Sequence, residues 1–248
     1  MKPLHLAANL TWECDLRCPM CWIDALGLDR KVPTRPWQDW RDSLSRYGGN
    51  LLIDFSGGEP LLFPGLHKLC LSLAAAGAEW ALTTNLQQTE IARLFLAVPV
   101  PSCISWNVSY HAALTDEHIT FARQLRAAGY PVAINAVLHP SEPWPTTEHL
   151  AGFALNWIPW QDWTAGDGTD GLPRICNAGQ QHLVIAPDGT AYRCQVELQK
   201  QIRPMGNFLD GSLDVPPSTH LCLIGCSTCY TQNGQAAPGW RVAMEDAS

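Results

Sequence analysis

Over roughly the first 160 residues six apolar runs alternate with stretches of helical periodicity, and this alternation restricts the chain more than any other feature. The runs are Leu4 to Leu10, Leu51 to Phe55, Trp80 to Thr84, Ile104 to Ser109, Val132 to Leu138 and Ala154 to Ile158. Between the first two, Trp37, Trp40, Leu44 and Tyr47 fall on one helical face, and Gly48-Gly49 ends the helix. Pro64 to Ala76 predicts a second helix stopped by Gly77, Thr89 opens a third, and Thr115 reads as the N-cap of a fourth with Asp116 and Glu117 in its first turn. A short helix is expected near Thr147 to Phe153. Strand and helix alternating through short connections predict an α/β fold, a parallel sheet with right-handed crossovers. Six units are too few to close an eightfold barrel.

Chemistry-bearing residues fall where such a sheet would place them, after the strands. The first strand feeds Cys14, Cys18 and Cys21, spaced C-x3-C-x2-C. Three thiols inside eight residues are too close for an orderly disulfide framework but can converge from one loop on an inorganic centre. A cubane [4Fe-4S] cluster has four irons, so three cysteines leave one iron open to a small molecule. A four-cysteine site would be closed, as in structural zinc. Ser56-Gly57-Gly58-Glu59-Pro60 follows the second strand, Asn85 the third, Ser109 to His111 the fourth and His139 the fifth.

At these residues the chain resembles the radical S-adenosylmethionine (SAM) superfamily, whose signature is this cysteine spacing. The resemblance implies a partial (β/α)6 TIM-like barrel, open-sided, with its mouth at the C-terminal strand ends. It implies a [4Fe-4S] cluster on Cys14, Cys18 and Cys21 whose open iron is chelated by SAM, and a reduced cluster that splits SAM to a 5'-deoxyadenosyl radical. The Gly57-Gly58-Glu59-Pro60 segment, about 36 residues past the last cysteine, resembles the second signature, where backbone and acidic residue receive the amino group of SAM. Glycines there permit close approach to the backbone; a bare tetrapeptide of this kind is otherwise a common turn. Met20 stands where the family usually carries an aromatic residue lining the adenine; a thioether can cover a purine face, and Trp22 lies beside it. Asn85 and Ser109 match positions that contact the SAM ribose or carboxylate, or else satisfy loop backbone at strand ends. The catalytic residues proper are unknown; His111 and His139 are the candidates for facing substrate or moving a proton.

The last quarter of the chain carries five more cysteines. After a Gly/Asp-rich linker at 164–171, residues 181–186 and 190–194 around Pro187-Asp188-Gly189 predict a β-hairpin. With Cys176, Cys194, Cys226 and Cys229 this resembles the twitch extension of the SPASM branch, a small subdomain holding one auxiliary [4Fe-4S] cluster on those four residues. Cys222 is an alternative ligand, and zinc is the alternative metal. The expected organisation is a barrel at 1–165, a twitch subdomain with its β-hairpin at 172–234 and a disordered tail at 235–248. Cys70 and Cys103 read as buried small hydrophobes.

Composition removes several alternatives. Net charge is -7 with no Lys/Arg cluster, so a nucleic-acid polymer is not an expected partner. No run approaches the roughly 18 apolar residues of a membrane span, and no signal peptide precedes Leu4, so no membrane association and a cytoplasmic location are expected. Ten cysteines then point to metal or redox work in a reducing compartment. The expected activity is a radical SAM oxidoreductase acting oxidatively on a peptide or small metabolite. The auxiliary cluster would accept the electron, and a flavodoxin- or ferredoxin-type donor would reduce the SAM-binding cluster. Trp144, Trp157, Trp160 and Trp163 crowd the sixth strand, either as a substrate wall or as core. The first strand sits at the start of the chain, so a peptide substrate is expected to need a presenting partner. The alternative from another class is a non-catalytic iron-sulfur or zinc protein that carries electrons or binds a partner.

Overall fold

A computed structural model of the chain describes residues 4–47, 49–140, 148–159, 174–176, 178–179, 182–214 and 220–222. Cys226, Cys229, Trp144, Trp160, Trp163, the linker and the tail lie outside them.

The six predicted strands are present as β1 (Leu4–Thr11), β2 (Leu51–Gly57), β3 (Glu79–Thr84), β4 (Cys103–Ser109), β5 (Val132–Leu138) and β6 (Ala154–Pro159). They pair in parallel, each with its sequence neighbour. Their side chains divide by parity. Leu6, Ala8 and Leu10 of β1, Ile53 and Phe55 of β2, Trp80 and Leu82 of β3, and Trp106 and Val108 of β4 join one buried cluster. The helices α2 (Trp37–Ser45), α3 (Leu66–Ala75), α4 (Thr89–Ala97) and α5 (Asp116–Ala127) add Trp40, Leu69, Phe95 and Phe121 to the same cluster. All four helices therefore cover one face of the sheet, as right-handed crossovers require. At its centre Trp80, Phe95, Trp106 and Tyr130 meet with ring centroids 5.1 to 6.4 Å apart. Each such ring contributes about 1.5–3 kcal/mol by leaving water. Thr115 caps α5 through a capping box closed by His118, the third helical residue. Cys70 is fully buried and Cys103 packs against the core edge.

The sheet does not close. Its strand order is β6-β5-β4-β3-β2-β1-β8-β9, where β8 (His182–Ile185) and β9 (Ala191–Tyr192) form the predicted hairpin. The hairpin is not set apart from the barrel: β8 pairs in parallel with the outer edge of β1, Leu6 opposite Leu183 and Ala8 opposite Ile185. Alternating apolar residues on β8 match the parity of β1, and Asn9 Nδ2 donates to the Ile185 carbonyl at 3.1 Å. The segment after β9 packs on α2, with Tyr47 stacked on Phe208 and Ser43 Oγ bonded to the Leu209 carbonyl. A separate two-stranded sheet joins β7 (Arg174–Cys176) to β10 (His220–Cys222), antiparallel.

Besides the β7–β10 pair, three local helical elements were not foreseen. They are α1 (Trp22–Ala25), α6 (Gln195–Lys200) and a 3-10 turn at Pro60–Leu62. Residues 148–152, expected to be helical, form turns instead.

Candidate functional site

At the C-terminal strand ends the loop after β2 is bound to the loop after β1. Gly58 N donates to the Thr11 carbonyl at 2.7 Å and Glu59 N to the Glu13 carbonyl at 2.8 Å. A Cβ at Gly57 would stand 2.3 Å from the Thr11 oxygen, and one at Gly58 would stand 2.1 Å from that of Glu13. The paired glycines are thus required by the approach of the cysteine loop itself, and Gly57 also has φ of +121°.

The cysteine loop gathers N–H donors on its sulfurs. Cys14 Sγ accepts from Leu16 N at 3.4 Å and from Asn85 Nδ2 at 3.6 Å. Cys21 Sγ accepts from Arg30 Nη2 at 3.5 Å. Arg30 is fixed in turn by a two-pronged bond to Asp24 at 2.6 and 2.7 Å. Cys18 accepts the backbone N–H of Cys21 on its carbonyl, closing the turn. Burial raises the Cys14 thiol above its ordinary pKa, while the Leu16 bond pulls the other way. Among the described residues no three His, Cys, Asp or Glu side chains converge to hold one metal ion. Thiols from one loop with N–H donors aimed at their sulfurs suit cluster ligation, in which each sulfur takes a different iron.

Glu59 and Asn85 join the loops after β1, β2 and β3. Glu59 is completely buried; its Oε1 accepts from Leu61 N at 2.9 Å and Thr84 Oγ1 at 2.7 Å, and its Oε2 from Asn85 N at 2.7 Å. Burial nevertheless lifts its pKa to about 7 against these three donors. Pro60 follows it as the first residue of the 3-10 turn. Asn85 Nδ2 donates to Asp15 Oδ1 at 2.6 Å, and the Asn85 carbonyl accepts from His111 Nε2 at 2.9 Å. His111 Nδ1 accepts from Ala113 N at 3.2 Å, which makes this buried ring the neutral Nε2–H tautomer. Both of its nitrogens are therefore engaged in holding the loop after β4.

The remaining residues stand as follows. Trp22 lies edge-on to Trp12 at 6.5 Å, and Met20 is half-buried in the turn before it. Ser109 is half-buried in the last β4 position, opposite Asn135, and His139 half-buried just past β5. Cys194 is the N-cap of α6, as Cys21 is of α1, and Ile23 of α1 and Leu198 of α6 share one apolar cluster with Trp12 and Tyr192. Cys176 and Cys222 lie on paired strands, the former opposite His220. Trp157 is 42 % exposed, so it is not core. The residues that composition did not single out are Asp15, Arg30 and Thr84; only the fold shows that a 14-residue separation brings Arg30 back to the Leu16 carbonyl at 3.3 Å.

No protein-family model matches the sequence. The PqqA peptide cyclase of Xanthomonas oryzae pv. oryzae is 29% identical over 175 residues, covering 64% of this chain and 45% of that protein. The one of Methylorubrum extorquens is 28% identical over 151 residues, covering 55% and 39%. The chain spans under half the length of these relatives. Among solved structures, Streptococcus suis SuiB aligns with a TM-score of 0.59 at 16% identity, covering 86% of this chain and 66% of that one. Native anSMEcpe with bound AdoMet and Cp18Cys peptide aligns at 0.60 and 14%, covering 84% and 78%.

Proposed function

We propose that this chain, a radical SAM protein of the SPASM/twitch type, reductively cleaves SAM and uses the resulting radical to modify a peptide, most simply by an oxidation. The observation that carries the reading is the bonding of the cysteine loop to the Gly57-Gly58-Glu59-Pro60 loop, at the open strand ends where the sulfurs of Cys14 and Cys21 accept N–H donors. Cys14, Cys18 and Cys21 would hold a [4Fe-4S] cluster, which would supply the electron for reductive cleavage of SAM and so the radical chemistry on substrate.

Around it the chain's own residues have separate tasks. Glu59 ties β2 to the end of β3 and, through Asn85 N, fixes the amide that reaches Cys14. Met20 and Trp22 flank the third cysteine where the adenine is expected, and Ser109 and His139 line the same strand ends. A peptide substrate is favoured because SuiB has been solved with a precursor peptide and the sequence relatives are peptide cyclases. An auxiliary [4Fe-4S] cluster on Cys176, Cys194, Cys226 and Cys229, with Cys222 as the alternative, would take the electron left on the substrate. Leu198 of α6, the helix that Cys194 caps, packs in one apolar cluster with Trp12, Cys21 and Trp22, which supports this arrangement. A flavodoxin- or ferredoxin-type protein is the proposed electron donor.

The test is anaerobic reconstitution with iron and sulfide, followed by SAM and dithionite. The reading expects about eight iron and eight sulfide per chain and release of 5'-deoxyadenosine. Zinc in their place, or no cleavage of SAM, supports the non-catalytic alternative and overturns it. The C194A variant is expected to keep SAM cleavage and lose product.

A further inference from the structure

The face of the sheet turned away from the helices has an unexplained acid on it. By parity this face carries His5, Ala7 and Asn9 of β1, Asp54 and Ser56 of β2, Ala81 and Thr83 of β3, and Ser105 and Asn107 of β4. The row through Asp54 reads Val184, Ala7, Asp54, Ala81, Ser105 in register. Both strand neighbours of Asp54 are alanines that end at Cβ, so its carboxyl rises above them. Only 8 % of Asp54 is exposed, and Oδ1 is buried with no hydrogen-bond partner. Burial alone pushes this carboxyl well above the ordinary range.

Among the described residues every neighbouring polar group is engaged elsewhere or carries no charge. Ser105 Oγ donates to Asn107 Oδ1 at 2.8 Å, and Asn9 donates to Ile185. Among the described residues the titratable groups on this face are His5 of β1 and His182 of β8, one row toward the N-terminal ends, with Nδ1 atoms 3.3 Å apart. Burial holds His5 to a pKa of about 4, so it is neutral at pH 7. At the strand ends stand Glu59 and Asp15, both acids. A buried acid with an orphaned oxygen and no counter-charge among the described residues costs stability, and a chain retains such a group at a loss unless something else satisfies it.

We propose that Asp54 is a binding site at the floor of the open sheet for a positively charged nitrogen of the substrate, carried on a flexible stem. Asp54 lies three steps along the strand from Gly57 at its end, a depth of about 10 Å. An amine or guanidinium on an extended aliphatic chain, as in lysine or arginine, reaches down that far past the alanines, and a nitrogen on a short stem does not. The inference rests on the reading of the strand ends as a peptide-modifying site.

The probe is N-acetyl-lysine methylamide, with the norleucine analogue as the uncharged control, titrated by NMR into the chain labelled with 13C at aspartate carboxyls. The lysine probe is expected to bind, to move the carboxyl signal that is missing from D54N, and to bind D54N about tenfold or more weakly. A second variant, A81V, crowds the carboxyl without removing it and is expected to weaken the lysine probe as well. Equal binding of the two probes, equal affinity for wild type and D54N, or no binding of the lysine probe overturns the proposal. The measurement needs no iron, so it fails independently of SAM cleavage: binding lost while SAM is still cleaved refutes this inference alone, and SAM left intact while the probe binds refutes only the proposed activity.

Discussion

Replacing Gly58 by alanine tests whether the glycine pair exists to admit the cysteine loop. The new Cβ would lie 2.1 Å from the Glu13 oxygen and 2.7 Å from both the Glu13 and Trp12 carbonyl carbons. All three are backbone atoms, so no side chain can swing aside. The two loops have to separate by about an ångström or more, and the Gly58–Thr11 and Glu59–Glu13 bonds, at 2.7 and 2.8 Å, then fall beyond hydrogen-bond range. Two lost backbone bonds, with their groups left partly buried, cost about 2–5 kcal/mol. For a chain of this size that lowers the melting temperature by about 5–15 °C. G27A is the control: Gly27, unlike Gly58, has a positive φ, +65°, but nothing lies within 4 Å of its Cβ position, so it bears a backbone strain of about 1–2 kcal/mol without any collision. Differential scanning fluorimetry of the metal-free chains and iron analysis after anaerobic reconstitution are the assays. If G58A melts within about 2 °C of wild type and loads iron as well, the steric argument is wrong.

Glu59 predicts a pH dependence. Its folded pKa of about 7 lies above the ordinary 4.5, so its contribution to stability is fully present below 4.5 and is lost as the pH rises through 7, about 3 kcal/mol in all. Urea unfolding at about pH 5 and about pH 8 should show wild type losing about that much more than E59Q; parallel slopes refute the assignment. Arg30 donates to the Cys21 sulfur and is held by Asp24, so R30Q is expected to lower the midpoint potential of the reconstituted cluster by on the order of tens of millivolts in an EPR-monitored titration. An unchanged potential means that the contact has no electrostatic role. Tyr130 Oη donates to the Phe95 carbonyl at 3.0 Å and accepts from Val100 N at 2.8 Å in the core. Y130F leaves both unsatisfied and should cost about 1–3 kcal/mol by chemical denaturation; a neutral result shows that the loop relaxes to find other partners.

The parallel sheet was legible because a strand buried on both faces is a nearly continuous apolar run, and because Gly48, Gly77 and Gly129 punctuate the helices between them. The order in which cysteines, glycines and Asn85 follow the strands was legible for the same reason. The role of Glu59 was less so: the sequence suggests a ligand for SAM, whereas the fold surrounds the side chain with Leu61 N, Thr84 Oγ1 and Asn85 N. Those partners depend on where β3 ends relative to β2, which no local pattern encodes. The hairpin was legible from Asp188-Gly189, but its parallel pairing with β1, some 177 residues away between His5 and His182, was not. Its inward Asn9 bond and the matched parity of Leu183 and Ile185 become signals only once the edge of β1 is known to be open. Asp54 was passed over because one acid in an apolar strand has no motif; burial made it visible.

The pairing of β8 with β1 also orders the protein's birth. Until residue 185 has left the ribosome, the outer edge of the first strand offers a bare row of amides to any passing chain, and the longest-range contact in the sheet is the last to form. A nascent chain stopped after its sixth strand keeps that adhesive margin, and the cysteine loop beside it lacks the Tyr192 and Leu198 that pack beneath Trp12. The proposed cluster is therefore expected to load late, once the carboxyl-terminal segment has arrived.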